Sequence, residues 1–257
     1  MPELHEKNTV KLVQLTDTHI FSDIEETLDG IYTSVSLDAV IEHVNFSGFR
    51  PDIVLVTGDL VHDPVPAAYD NLVKSLKLLN APVFCLPGNH DNPELMKEAL
   101  PRSGIGISSQ IILNHWHIIL LNTYIPDTHS GRLGQKQIEY LDGALAQSKQ
   151  RNVLICLHHP PISINSPWMD AMSLENPEEF FTIVDGHSNI KAILWGHIHQ
   201  DFNCTRGNIL LMATPSTCVQ FRPETEHYIK DEQNPGYRQI VLNESGLIET
   251  NVIRIDK

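Results

Sequence analysis

Five short polar clusters carry the residue types that metal and acid–base chemistry require: Asp17-Thr18-His19, Gly58-Asp59, Gly88-Asn89-His90-Asp91, His158-His159 and Gly196-His197-Ile198-His199. Carboxylate, imidazole and amide oxygen together suit a divalent first-row ion such as iron, manganese, cobalt or zinc, and no cysteine accompanies them as in a structural zinc site. The candidates Asp17, His19, Asp59, Asn89, His158, His197 and His199 exceed what one ion can take. Two ions sharing a bridging carboxylate, about 3.5–4 Å apart, fit better. Any one cluster alone reads better as a turn than as a site, since Asn, Asp and Gly favour turns for backbone reasons of their own. Independent turns would not need His or Asp at the end of every apolar run.

Those apolar runs are the elements that must position the clusters. The sequence predicts strands at 10–15, 51–56, 81–86, 153–157 and 190–195, each ending at one cluster. The 51–56 run is nearly all apolar, which implies burial on both faces. If the chain stays extended past residue 15, Asp17 and His19, two apart, point to the same side. Helices are expected at 34–45, with Val35, Ala39, Val40 and Val44 at helical spacing and Gly48 closing it, and at 64–80, with Ala68, Leu72, Leu76 and Leu79 on one face. Further helices are expected at 93–100, at 135–147 with Ile138, Leu141 and Leu145, and at 178–184. After Gly106 a hairpin is expected, 109–113 with 116–122 around Asn114-His115, then a loop at 126–131. Residues 162–176 and 215–235 read as long loops, and strands at 209–213, 236–242 and 248–255 complete the series. Strand–helix alternation plus hairpins predicts a layered α/β protein with mixed sheets, and the absence of repeats or linkers predicts one domain over 1–257. Parallel α/β sheets place functional groups outside the carboxyl ends of their strands, so the five clusters can converge on one crevice.

Composition narrows the class. At 257 residues, 41% hydrophobic and 19% charged, the chain has the make-up of a globular protein with a sizeable core. Its net charge of -14 argues against general nucleic-acid affinity, which needs clustered Lys and Arg. No apolar run approaches the roughly 20 residues of a membrane span, and the residues 1–7 have no signal-peptide pattern, so no membrane partner is expected and the cytoplasm is the default location. Cys85, Cys156, Cys204 and Cys218 are dispersed without a Cys-x-x-Cys pair, which predicts free thiols.

The series Asp17-x-His19, Gly58-Asp59, Gly88-Asn89-His90-Asp91, His158 and Gly196-His197-x-His199 resembles the complete signature of the calcineurin-like metallophosphoesterases, in the family's order and across nearly the whole chain. The resemblance implies an α-β-β-α sandwich of two mixed sheets flanked by helices. It implies that Asp17, His19, Asp59 and His199 hold one metal, that Asp59, Asn89, His158 and His197 hold the other, and that Asp59 bridges them. His158 is preferred to His159 because His158-His159-Pro160 fits the family's His-x-Pro pattern. Iron and/or manganese are the ions it suggests; zinc or cobalt also suits the donors. The stretches His158-His159-Pro160-Pro161, Pro167-Trp168-Met169-Asp170, Gly196-His197-Ile198-His199-Gln200 and residues 213–221 further resemble the bacterial class III 3',5'-cyclic AMP phosphodiesterases. Trp168 and Phe221 within them are equally readable as hydrophobic plugs and as nucleobase contacts.

Such a site hydrolyses its substrate with a hydroxide bridging two ions, because dications lower the pKa of bound water towards neutrality. Two dications, two carboxylates and a hydroxide leave a single net positive charge when the imidazoles are neutral, which matches a phosphodiester anion. Asn89 and His90 are expected to face the substrate, with His90 the catalytic group that meets the phosphoryl oxygens or protonates the leaving oxygen. Asp91 either orients His90 or caps the helix that follows. The leading expectation is hydrolysis of 3',5'-cyclic AMP to 5'-AMP, a small cyclic nucleotide being the partner. The alternatives are another phosphodiester substrate, such as a glycerophosphodiester or a nucleic-acid end, and a non-catalytic metal-bound scaffold, whose usual mark of missing ligands is absent here. The oligomeric state stays open.

Overall fold

The computed structural model describes residues 9–256. Expectations for residues 1–7 therefore lie outside the described residues. In chain order the elements are β1 (Thr9–Leu15), a small hairpin β2 (Thr27–Leu28) and β3 (Ile31–Tyr32), α1 (Thr33–Phe46), β4 (Ile53–Thr57), α2 (Pro66–Leu76), β5 (Val83–Leu86) and α3 (Pro93–Ala99). They continue with β6 (Gln110–Leu113), β7 (Trp116–Leu120), α4 (Gln135–Gln147), β8 (Asn152–Cys156), α5 (Pro167–Asp170), α6 (Pro177–Val184) and β9 (Ile190–Trp195). Last come β10 (Phe202–Arg206), β11 (Ile209–Ala213), β12 (Gly236–Asn243) and β13 (Ile248–Arg254).

Two mixed sheets are formed, one ordered β13-β12-β1-β4-β5 and the other β10-β11-β9-β8-β7-β6. Strands β1, β4 and β5 run parallel, with Leu15 opposite Val56 and Thr57 opposite Leu86. Strands β7, β8, β9 and β11 also run parallel, with Leu120 opposite Cys156 and Cys156 opposite Leu194. These registers bring the carboxyl ends level, so the loops after β1, β4, β5, β8 and β9 open on one edge. Alternation explains the layers: Leu12, Leu55 and Ile240 from one sheet meet Ile118, Leu154 and Leu194 from the other in a shared inner core. The outward faces take helices, α1, α2 and α3 over the first sheet and α4, α5 and α6 over the second. This is the α-β-β-α sandwich that the family resemblance implied.

Helix α1 departs from the expected face. Val35 is 65% exposed and Ala39 is exposed, while Leu37, Val40, Ile41 and Val44 face inward. The 3.6-residue period is right but its phase is shifted, because Val and Ala tolerate a solvent face while Leu37 and Ile41 bury more surface. Strand β10 and the β2-β3 hairpin lie where no strand was expected; Phe202–Arg206 pairs only along β11, and its mostly solvent-facing side chains carry little apolar signal. The 162–176 loop includes the single-turn helix α5, started by Pro167. Cys85, Cys156 and Cys218 are buried, Cys204 is half-buried, and all four are free thiols.

Candidate active site

Strand ends deliver the polar clusters through unusual backbone. Asp17, His19, Asp59, His197 and His199 all have positive φ, between 45° and 68°. The chain after β1 is therefore not extended, contrary to expectation: Asp17 and His19 share the crevice because two left-handed residues fold the loop over Gly58 and Asp59. The amides of Asp17 and His19 donate to the carbonyls of Gly58 and Asp59 at 3.0 Å each, which locks that fold. Gly88 allows the closest approach, since a Cβ there would collide with the Asp59 carboxylate and backbone amide and with the His158 ring.

All seven candidate ligands meet. Asp59 aims one carboxylate oxygen at each side, Oδ1 lying 3.3 Å from His158 Nε2 and Oδ2 lying 3.7 Å from His19 Nε2. Asp17 Oδ1 is 3.5 Å from His199 Nε2 and 4.0 Å from His158 Nε2, and both Asp17 oxygens accept from the His197 amide. Asn89 Oδ1 is 3.2 Å from His158 Nε2. His19 Nε2 faces His199 Nε2 at 3.2 Å, and His197 Nδ1 faces His158 Nε2 at 3.2 Å. Two of the orientations are fixed from behind: His158 Nδ1–H donates to the Thr57 carbonyl at 2.9 Å and His199 Nδ1–H to the Val219 carbonyl at 2.7 Å. Their Nε2 lone pairs are thereby turned to the centre.

This donor set fits a pair of cations. Neutral imidazoles with lone pairs facing one another repel unless positive charge lies between them. Burial, with neighbouring imidazoles adding to it, holds His19 and His197 well below the usual histidine range. Burial opposes the charge of Asp59 too, yet His158, His90 and His19 together hold its carboxyl well below the usual range. His158 is pressed down by burial but lifted by Asp59 and then Asp17 to about 9. His158 and not His159 faces Asp59; His159 turns its Nδ1 to Thr123 Oγ1 at 2.7 Å.

Asp91 takes neither role expected of it. Its buried carboxylate accepts from the amides of Gly88 at 2.8 Å, Leu60 at 3.1 Å and Val61 at 3.4 Å and from the Tyr69 hydroxyl, tying the loop after β5 to the loop after β4. Burial, with Asp59 next, pushes this carboxyl up to about 7. Asn92 caps α3 instead, accepting from the amides of Glu94 and Leu95. His90 is held by His62: its Nδ1–H donates to the His62 carbonyl at 3.2 Å, and the two rings stack with centroids 4.9 Å apart.

Above these groups opens a cleft of about 220 Å³, lined by histidines on one side and by Trp168, Phe221 and Tyr228 on the other. Among the described residues no Lys or Arg lines it. Phe221 lies flat on the His199 ring, centroids 3.9 Å apart, and packs edge-on against Trp168 and Tyr228. Sequence reasoning missed His62, His129, Leu28, Asp29 and Tyr228. His62 had a visible signal, standing three residues past Asp59. His129 follows no apolar run, and it comes to the site only because the 126–131 loop folds back, where the Asn89 amide lies 3.4 Å from its Nδ1.

A model of the calcineurin-like phosphoesterases matches residues 10–201. The chain belongs to that family. Among relatives of this phosphoesterase, a Vibrio vulnificus (strain CMCP6) protein named 3',5'-cyclic adenosine monophosphate phosphodiesterase CpdA is 39% identical over 97% of this chain and 91% of its own length. A protein of the same name from Escherichia coli (strain K12) is 36% identical over 96% of this chain and 90% of its own. Among solved structures, a dimetal phosphatase from Danio rerio superposes with a TM-score of 0.65 at 15% identity, covering 96% of this chain and 99% of that one. GAP50, described as the anchor in the inner membrane complex of Plasmodium, has a TM-score of 0.67 at 13% identity, covering 98% and 86%. Phosphoesterase architecture is thus shared by proteins of different roles, and the side chains at the strand ends must decide the chemistry.

Proposed function

We propose that this chain hydrolyses 3',5'-cyclic AMP to 5'-AMP at a two-metal centre. The observation that carries the reading is the convergence of all seven ligand candidates at one cleft, in a chain aligned over nearly its full length with relatives named for that reaction. Asp17, His19, Asp59 and His199 hold one ion and Asp59, Asn89, His158 and His197 the other; the two oxygens of Asp59, each turned to a different imidazole, support its place as the bridge. Iron and manganese are the expected ions. When bound, such a pair neutralises phosphate charge and activates water for attack on phosphorus.

The rest belongs to the chain's own residues. Among the described residues no Lys or Arg lines the cleft and imidazoles are its only potentially cationic side chains, a weak match for a dianionic monoester and a better one for a diester. His90, whose Nδ1–H is engaged by the His62 carbonyl, lines the cleft and is the group placed to give a proton to the leaving 3' oxygen. Asn89 is oriented by its contact with His129, which aims the amide oxygen at the His158 side. Main-chain ties from Asp91 keep the loops carrying Asp59 and His90 in register. The partner is a small cyclic nucleotide and the place of action the cytoplasm; nucleic acid is not expected at so acidic a chain. Among the described residues no helix is long and apolar enough to cross a membrane.

The test is a substrate series on metal-reconstituted protein: cyclic AMP, cyclic GMP, a glycerophosphodiester and a generic aryl phosphodiester. Turnover of cyclic AMP above the glycerophosphodiester is expected. Failure on cyclic AMP with turnover of another diester overturns the substrate and leaves the family standing.

A further inference from the structure

The mouth of the cleft is crossed by a contact between segments some 200 residues apart in sequence. Asp29 stands at the tip of the β2-β3 hairpin, in an Asp-Gly turn where both residues have positive φ, 49° and 78°. This turn type matches the twist of a two-stranded ribbon and holds its tip rigidly. The tip reaches over the cleft to the 221–230 segment, itself closed by a bridge between Phe221 and Lys230. There the Tyr228 hydroxyl donates to Asp29 Oδ2, and Lys230 Nζ donates to the Asp29 backbone carbonyl at 2.7 Å. Asp29 and Tyr228 both line the cleft.

Because the lysine grips the backbone, the Asp29 carboxylate is left free to exchange its partner. Side by side, the two groups offer a carboxyl oxygen that accepts and a hydroxyl that rotates to donate. The edge-to-face cluster of Trp168, Phe221 and Tyr228 provides an apolar surface leading from His199, on which Phe221 stacks, to this pair. Trp168 has its indole N–H engaged by Thr225 Oγ1 at 3.2 Å, so it presents its ring rather than a donor. Leu28, on the same hairpin, also lines the cleft. A phosphodiester anchored at the metal end therefore finds a hydrogen-bonding edge at Asp29 and Tyr228.

We propose that Asp29 and Tyr228 are the specificity pair that reads the nucleobase edge, a reading that rests on the cyclic-nucleotide function proposed above. The carboxylate accepts from an exocyclic amino group and the Tyr228 hydroxyl donates to the adjacent ring nitrogen, the pattern of a 6-aminopurine. A 6-oxopurine reverses donor and acceptor along that edge and leaves the carboxylate facing an oxygen. The pair thus favours adenine over hypoxanthine or guanine.

The experiment compares kcat/KM for 3',5'-cyclic AMP, 3',5'-cyclic IMP and an aryl phosphodiester without a base, in wild-type holoenzyme and in Asp29→Ala, Asp29→Asn and Tyr228→Phe. Cyclic AMP is expected to exceed cyclic IMP by about tenfold in the wild type, the scale of one charge-assisted hydrogen bond. Asp29→Ala should bring that ratio towards one by raising KM for cyclic AMP, with Asp29→Asn and Tyr228→Phe intermediate. The aryl diester controls for folding and metal content, and the loss on cyclic AMP should exceed any loss on it several-fold. Equal wild-type use of the two cyclic nucleotides, or variants that lose all three substrates in proportion, overturns the pair as a reader. A wild type that turns over the aryl diester and neither cyclic nucleotide overturns the underlying reading instead, and does so before any variant is made.

Discussion

The two sheets contribute unlike chemistry to the centre they share. Loops of the first sheet, after β1, β4 and β5, bring both carboxylates, the amide of Asn89, His19 and His90. Loops of the second, after β8 and β9, bring imidazoles only, His158, His197 and His199. One half carries the carboxylates and the bridge; the other carries imidazoles, of which His158 and His199 are fixed from behind by the Thr57 and Val219 carbonyls. The seam between the sheets is therefore also the boundary between charge and coordination geometry, and each proposed ion spans it.

That contrast can be broken most sharply at the bridge. Asp59→Ala should lose both ions and essentially all activity, read by elemental analysis; two ions per chain in that variant would disprove the bridging role. On the imidazole side, His197→Ala should release one ion and keep the other, since it takes away one neutral donor and no charge. His90→Ala should keep two ions while kcat falls about 10²- to 10⁴-fold, the usual share of a general acid; undiminished turnover would remove His90 from the chemistry. Chelation should lower the thermal midpoint by roughly 10 °C, because ligands drawn from both sheets bind ions only in the folded state. Away from the seam, Arg206→Ala on β10 should cost less than about 1 kcal/mol in denaturant unfolding. The exposed Arg206 pairs with Asp185 through bonds of 2.9 and 2.6 Å and holds that carboxyl below its usual range. The small contribution is present above about pH 4 and fades as the pH falls through the lowered value.

Much of the first sheet and of the ligand set was legible because apolar runs ended abruptly at His and Asp. The strands β4, β8 and β9 are buried along nearly their whole length, as their apolar composition implied. What stayed hidden depended on contacts distant in sequence. Asp91 looked like a partner for its neighbour His90, whereas its carboxylate is consumed by three main-chain amides, two of them some 30 residues away. Asp29 and Tyr228, about 200 residues apart, leave no periodic trace at all. The side-by-side placement of Asp17 and His19 was right for a wrong reason, because left-handed turns replace the extended chain.

Those left-handed residues have a consequence for how the protein fails. Five of the seven ligand candidates sit in a region that costs an L-residue about 1 kcal/mol or more each, a sum comparable with the net stability of many whole domains. The loops behave as preloaded springs clamped by the sheets below. Loosening of the frame anywhere should let them relax first, so that on heating the enzyme falls silent at temperatures where its sheets are still intact.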